Sequence, residues 1–157
     1  MARKKPRQKE TTIFPVLNKA LLLNESPVYD LLLAGTEGHE QIDGEDLLNF
    51  LLQELGTSAV LYVARQGIQL VGFAVVQTPQ LLNRYPSLIF LYNSKPEEGK
   101  IRDLLLGAAI DWAAENGWNK LATAYYGEAS NKAFERLAGR VVTTYSIGTV
   151  FLFDSED

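Results

Sequence analysis

Cysteine is absent from this chain of 157 residues, and histidine occurs once, as His39. The first absence excludes disulfides, thiolate metal sites and a cysteine nucleophile. The second excludes a metal centre built on several imidazoles, so no metal site is expected. Long apolar runs are missing too, and none approaches the ~20 residues that span a bilayer. The basic N-terminus is not followed by a signal-type apolar stretch. The chain therefore reads as cytoplasmic, with no membrane partner. "GFAVVQ" and "RQG" do not make a nucleotide fingerprint, and Gly72 inside the first reads as a bulge or a close backbone approach. What remains is of ordinary globular composition, 46% hydrophobic and 22% charged, at a length suited to one domain with a real core.

Charge is unevenly placed. Arg3, Lys4, Lys5, Arg7 and Lys9 are five of the fifteen basic residues, and the rest of the chain sets ten basic against nineteen acidic. Residues 1–10 read as a disordered, solubilising basic tail, and 11–157 as a single domain. The acidic body argues against nucleic acid as a partner, except through that tail.

Periodicity and punctuation divide the domain. "TTIFPVL" reads as a strand. Ser26 and Pro27 are N-cap and first position of a helix with Val28, Leu31 and Leu32 on one face and Gly35 at its end. A polar loop, "GTEGHEQI", follows. Asp43 caps a second helix with Asp46 three residues on, its apolar side made by Leu47, Leu48, Leu51, Leu52 and Leu55 and its stop by Gly56. "AVLYVARQGIQLVGFAVVQT" is two β-rich runs about Gln66-Gly67, a hairpin signal. "SLIFLYNS" is a buried strand. From Lys100 to Asn116 a helix carries Ile101, Leu105, Ala108, Ala109 and Trp112 on its apolar face, with Gly117 as its left-handed cap. "KLATAYYG" is the next strand, Ser130 the N-cap of a short helix through Leu137, and "RVVTTYSIGTVFLF" one or two closing strands. The late β–α–β crossover must be parallel and right-handed, whereas the hairpin before it is antiparallel. The class is α/β: a mixed, mostly antiparallel sheet with helices on both faces. The Lys100 helix starts just after the loop "SKPEEGK", so its first N–H groups face that loop, an arrangement suited to an anion such as a phosphate.

This element order, with "LIFLYNSKPEEGKIRDLLLGAAIDWAAENGWNKLATAYYGEASNKAFERLAGR", resembles the GCN5-related N-acetyltransferase (GNAT) family. The spacing from "LLL" to "ENGW" is similar to the family's central helix and closing glycine. "SNKAFERLAGR" resembles its "N-x-A … E-K-L-G-G-R" segment. The resemblance covers most of the chain by element order and about residues 87–145 by motif. It implies a central parallel strand pair that splays apart, acetyl-CoA as co-substrate, and transfer of an acetyl or related acyl group to an amine on a small molecule or protein. A homodimer is compatible with it.

The same resemblance assigns residues. The strand end Leu91, Tyr92, Asn93 would align the acyl arm, and Gly99, Lys100, Ile101, Arg102 and Asp103 would hold the pyrophosphate. Asn131 matches the asparagine near the pantetheine or pyrophosphate arm. Phe134 stands where many members place a tyrosine that protonates the leaving thiolate, which phenylalanine cannot do; core packing also accounts for it. Tyr92 and Tyr126 could supply that acid by strand position, with Tyr125 and Tyr145 further candidates; packing and strand propensity also account for them. The family's loop, [Q/R]-x-x-G-x-[G/A], falls on Glu97 to Arg102, so an acid replaces its first position and two large cations its small ones. Lys100 and Arg102 either obstruct a phosphate or pair with it. No strand glutamate offers a general base. Glu37, Glu40, Asp43 and Glu45 surround His39 in a loop that could meet a cationic amine, or simply be solvated. Two functions stay open on this reading: an N-acyltransferase, and a GNAT-like fold that binds a partner without chemistry.

Overall fold

The computed structural model describes residues 10–39, 42–80, 84–123, 132–133, 135–137, 140–144 and 149–152. Within them run β1 (Thr11–Pro15), α1 (Pro27–Thr36), α2 (Gly44–Glu54), β2 (Ala59–Gln66), β3 (Gln69–Gln77), β4 (Ser87–Asn93), α3 (Gly99–Glu115), β5 (Lys120–Thr123), β6 (Arg140–Thr144) and β7 (Thr149–Leu152). Residues 132–133 and 135–137 are helical. The strands form one sheet in the order β1-β2-β3-β4-β5-β7-β6, antiparallel throughout except for the parallel pair β4–β5. The closing segment is thus two strands, and β7, the later one, lies between β5 and β6.

Local chemistry explains the boundaries. The Ser26 hydroxyl accepts from the Tyr29 N–H at 3.0 Å, and the Asp43 carboxylate accepts from the Asp46 N–H at 2.8 Å, so both expected caps form. A one-turn 3₁₀ helix, Lys19–Leu22, precedes α1, and the Asn18 side chain caps it. Gly35 does not end α1. The helix runs to Thr36, and a Cβ at Gly35 would sit 2.4 Å from the Phe73 ring. This glycine marks close packing of helix on sheet, not a stop. At the end of α3 the expected cap does form. The Trp118 N–H reaches the Ala113 carbonyl at 2.9 Å and the Gly117 N–H reaches Ala114 at 3.0 Å, with Gly117 at φ 84. This is a Schellman closure, and it needs the left-handed residue.

The core has two layers, one on each face of the sheet. α1, α2 and the 3₁₀ turn cover one face, around Leu32, Leu51, Phe73, Val75 and Phe90. α3 covers the other, around Ala74, Val76, Leu88, Ile101, Leu105 and Ala109. The buried stripe of α3 is Ile101, Leu105, Leu106, Ala109, Ile110 and Ala113. That stripe is rotated from the expected one: Trp112 and Ala108 lie at its margin, half-buried. Leu106 and Ile110 replace them because the sheet contacts more than a narrow seam of the helix. Tyr62 on β2 packs at the edge of this layer. Burial, then the nearby charges of Glu115 and Asp111, raise its phenol above the usual value.

Two irregularities shape the middle of the sheet. In β3 the register shifts opposite Ala64 and Arg65, leaving Val71 as the extra residue. Gly72 follows it, and a Cβ there would fall 2.6 Å from the Tyr92 carbonyl oxygen and 3.1 Å from Leu105 Cδ1. Both senses of the Gly72 expectation, bulge and close approach, therefore hold. In β4 the register shifts again: Val75 faces Phe90 while Val76 faces Leu88, so Ile89 bulges.

Candidate functional site

β4 meets β5 only at Ser87↔Ala122 and Leu88↔Thr123 among the described residues. Beyond the Ile89 bulge, the edge of β4 away from β3 carries no partner strand among those residues. Its far end, Leu91 to Asn93, leads through a short loop into the N-terminus of α3. One strand edge and one helix start thus converge at the parallel crossover, where open α/β sheets place ligands.

The loop is held firmly. The Ser94 N–H and hydroxyl both donate to the Val71 carbonyl, at 2.9 and 2.7 Å. The Asn93 side chain accepts from the Lys95 N–H at 2.9 Å and donates to the Glu98 carbonyl at 3.1 Å. Asn93 therefore shapes the loop with its side chain. Ile101 is fully buried in the α3 layer, and its N–H donates to the Glu98 carbonyl at 3.2 Å, so its backbone alone borders the site. Leu91 is half-buried on the same side of the sheet.

The start of α3 is polar and cationic. Its N-cap, Glu98, makes no side-chain bond to the first turn. The Glu98 carboxylate accepts from the Gln66 amide at 2.9 Å instead. Lys100 is exposed. The Arg102 guanidinium lies over Gly99, with Nη2 3.1 Å from where a Cβ would be, and donates to Asp103 through Nε at 3.2 Å and Nη2 at 3.1 Å. Arg136, from the helical stretch after β5, donates to the other Asp103 oxygen at 2.5 Å. Asp103 thus sits between two guanidinium groups, and the cluster of Lys100, Arg102, Asp103 and Arg136 keeps a net positive charge. Helix dipole and side chains favour an anion in the same place. Arg136 belongs to the quoted motif, but nothing in sequence ties it to Asp103, 33 residues away.

Tyr92 points to the other face. Its ring stands 5.7 Å from the Phe73 ring, and Phe73 stacks on Phe90 at 5.3 Å. The His39 ring lies 5.5 Å from Phe90, so the α1–α2 loop reaches the same aromatic group. Tyr126, Asn131, Phe134, Tyr125, Tyr145, Ser130 and Glu40 lie outside the described residues. No group of acidic and imidazole side chains suited to a metal occurs among the described residues. No helix among them is long and apolar enough to cross a membrane.

No family model matches the sequence, and no curated protein matches it. Solved structures do. A ribosomal-protein-alanine N-acetyltransferase from Brucella melitensis biovar Abortus 2308 is 21% identical, aligned over 88% of this chain and 97% of its own, with TM-score 0.62. An acetyltransferase of the GNAT family from Streptococcus pneumoniae is 16% identical over 92% and 100%, with TM-score 0.63. The paia N-acetyltransferase from Thermoplasma acidophilum, solved in complex with coenzyme A, is 14% identical over 88% and 96%, with TM-score 0.59. Mixed sheet, parallel β4–β5 crossover and a helix layer on each face together are the GNAT fold, and this chain has it.

Proposed function

We propose that the chain is an N-acyltransferase that takes an acetyl or related acyl group from its coenzyme A thioester and passes it to an amine. One observation carries this reading: the first turn of α3, not capped by its own Glu98, opens beside Lys100, Arg102 and Arg136 at the parallel crossover. The donor set suits a pyrophosphate, with backbone N–H groups at Gly99 and Lys100 and cations on the rim. Coenzyme A bound in similar folds, as in the Thermoplasma structure, supports the same reading.

Bound acyl-CoA would supply an activated carbonyl carbon and a thiolate leaving group. The chain's residues would do the rest. The end of β4 at Leu91–Asn93 would align the acyl arm through backbone hydrogen bonds, converting a bimolecular attack into a positioned one. Lys100 and Arg102 would neutralise the phosphates. Asn131 and Phe134 would border the arm from the segment after β5. The amine would approach from the α1–α2 face, past His39 and the acids Glu37, Asp43 and Glu45. As the amine nitrogen bonds to the carbonyl carbon and the C–S bond breaks, the amine would lose a proton to solvent, and Tyr92 or Tyr126 would give its phenolic proton to sulfur and regain one from solvent; the thiolate's conjugate acid has pKa about 8–9.

The test is calorimetric titration with acetyl-CoA. The wild-type chain should bind. The Lys100→Ala, Arg102→Ala double variant should bind about tenfold or more weakly, as expected for lost charge-assisted contacts. Tighter binding by that variant would make the two cations obstacles, and no binding by the wild type would end the acyltransferase reading.

A further inference from the structure

Glu98 poses a problem for the site just described. It is the N-cap of α3, and a carboxylate there would ordinarily turn back onto the first-turn N–H groups, occupying the place of an anion and repelling it. The structure contains a device that prevents this. Gln66, at the end of β2, is 6% exposed, and its polar atoms are engaged. Its amide nitrogen donates to Glu98 Oε2 at 2.9 Å and to Thr11 Oγ1 at 2.9 Å. Its amide oxygen accepts from Lys95 Nζ at 2.8 Å. The amide is therefore anchored to β1 and, through Lys95, to the loop itself, while its remaining N–H holds the carboxylate to the side.

We propose that Gln66 is a positioning residue for the anion site: it keeps the Glu98 carboxylate off the N-terminus of α3, so the first-turn N–H groups stay open for the ligand's phosphates. The proposal rests on the coenzyme A reading of that site. It also resolves the oddity of an acidic pair in a phosphate loop, because one of the acids is tied down by a partner 32 residues away. Lys95 contributes a cation beside the same amide, which balances the held carboxylate without a direct ion pair.

The test is a double-mutant cycle read by coenzyme A titration. Gln66→Met preserves length and volume and removes all three bonds. It should weaken binding about five- to tenfold, because the freed carboxylate competes at the helix start. Adding Glu98→Gln in that background should restore most of the loss. In the wild-type background, Glu98→Gln should change affinity less than about twofold, since the carboxylate is already held aside. A merely structural Gln66 would give no such rescue. Equal effects of Glu98→Gln in both backgrounds, or full affinity in Gln66→Met, would overturn the proposal. If Gln66→Met fails to fold, Gln66→Leu runs the same cycle, because it removes the donor to Glu98 without adding a charge beside the site.

A ligand-free readout separates this inference from the function it rests on. In the Gln66→Met background the added Glu98→Gln change should move the Lys100 amide resonance clearly, and in the wild-type background it should move it much less. Equal movement in both backgrounds would overturn the positioning role. A wild type that fails to bind coenzyme A would instead remove the acyltransferase reading and leave the amide resonances to decide on Gln66.

Discussion

The two faces of the sheet are packed with different materials. Among the described residues, every buried hydrophobic residue of the α3 layer is aliphatic, and five are alanines: Ala64, Ala74, Ala109, Ala113 and Ala133. The α1–α2 layer buries Phe73 and Phe90 and gathers Tyr92 and Phe14 around them. Small side chains let α3 lie close on the strands, and close-packed aliphatic contacts leave little room for sliding. The N-terminus of α3 is thereby fixed relative to the end of β4. The aromatic face offers ring edges and a hydroxyl, groups that give a surface shape and polarity. On the proposed function, the α3 side of the sheet holds a position and the aromatic side meets the reacting groups.

That contrast can be broken by experiment. The largest effect belongs to the aromatic face. Tyr92→Phe should lower turnover by about 10²–10⁴-fold with coenzyme A affinity nearly intact, if Tyr92 gives the proton. Full activity in a Tyr92→Phe, Tyr126→Phe protein would leave solvent as the source. On the α3 face, Leu105 is wholly buried against Gly72, and Leu105→Ala should cost about 2–5 kcal/mol in denaturant unfolding.

A pair of glycine substitutions sharpens the comparison further. Gly72→Ala presses a methyl on the Tyr92 carbonyl and on Leu105, so backbone and α3 must both shift; it should cost about 1–3 kcal/mol and weaken coenzyme A binding. Gly35→Ala meets the Phe73 and Tyr92 rings instead, and should spare coenzyme A affinity while raising the KM for the amine. The same pattern from both would erase the division of labour. The smallest effect is Trp112→Ala. Because Trp112 is only half-buried, the loss should fall below the about 3–5 kcal/mol of a fully buried aromatic. A loss within that range would place the indole back in the core.

The Trp112 result bears on what a sequence shows. The existence and order of the elements were legible because caps and periods are local: Ser26, Asp43 and Gly117 announce themselves within four residues of what they cap. The direction of α3's stripe was less so, since alanines and Gly107 blur the polar boundary. Gly35 misled because a glycine needed for contact and one needed for a left-handed turn look alike in one dimension. At the site, the loop and helix start were visible as a pattern, and so was the departure of Glu97 to Arg102 from the family's form. The answer to that departure was not visible. Gln66, Thr11 and Glu98 come from three segments, and no local rule joins them. Arg136 reaches Asp103 only because the chain crosses the sheet and returns.

The two ends of α3 also differ in how they open. Its last carbonyls are closed by the Schellman bonds at Gly117 and Trp118, whereas its first turn is not capped by the Glu98 side chain. Local opening should therefore start at Gly99 and run inward, so amide hydrogen exchange should be fastest there and slow toward Ala113. An anion seated on the first turn would bind only the closed form and would slow that exchange in proportion to its occupancy. The helix thus carries its own gauge of ligand, readable at a few backbone amides without any knowledge of the amine.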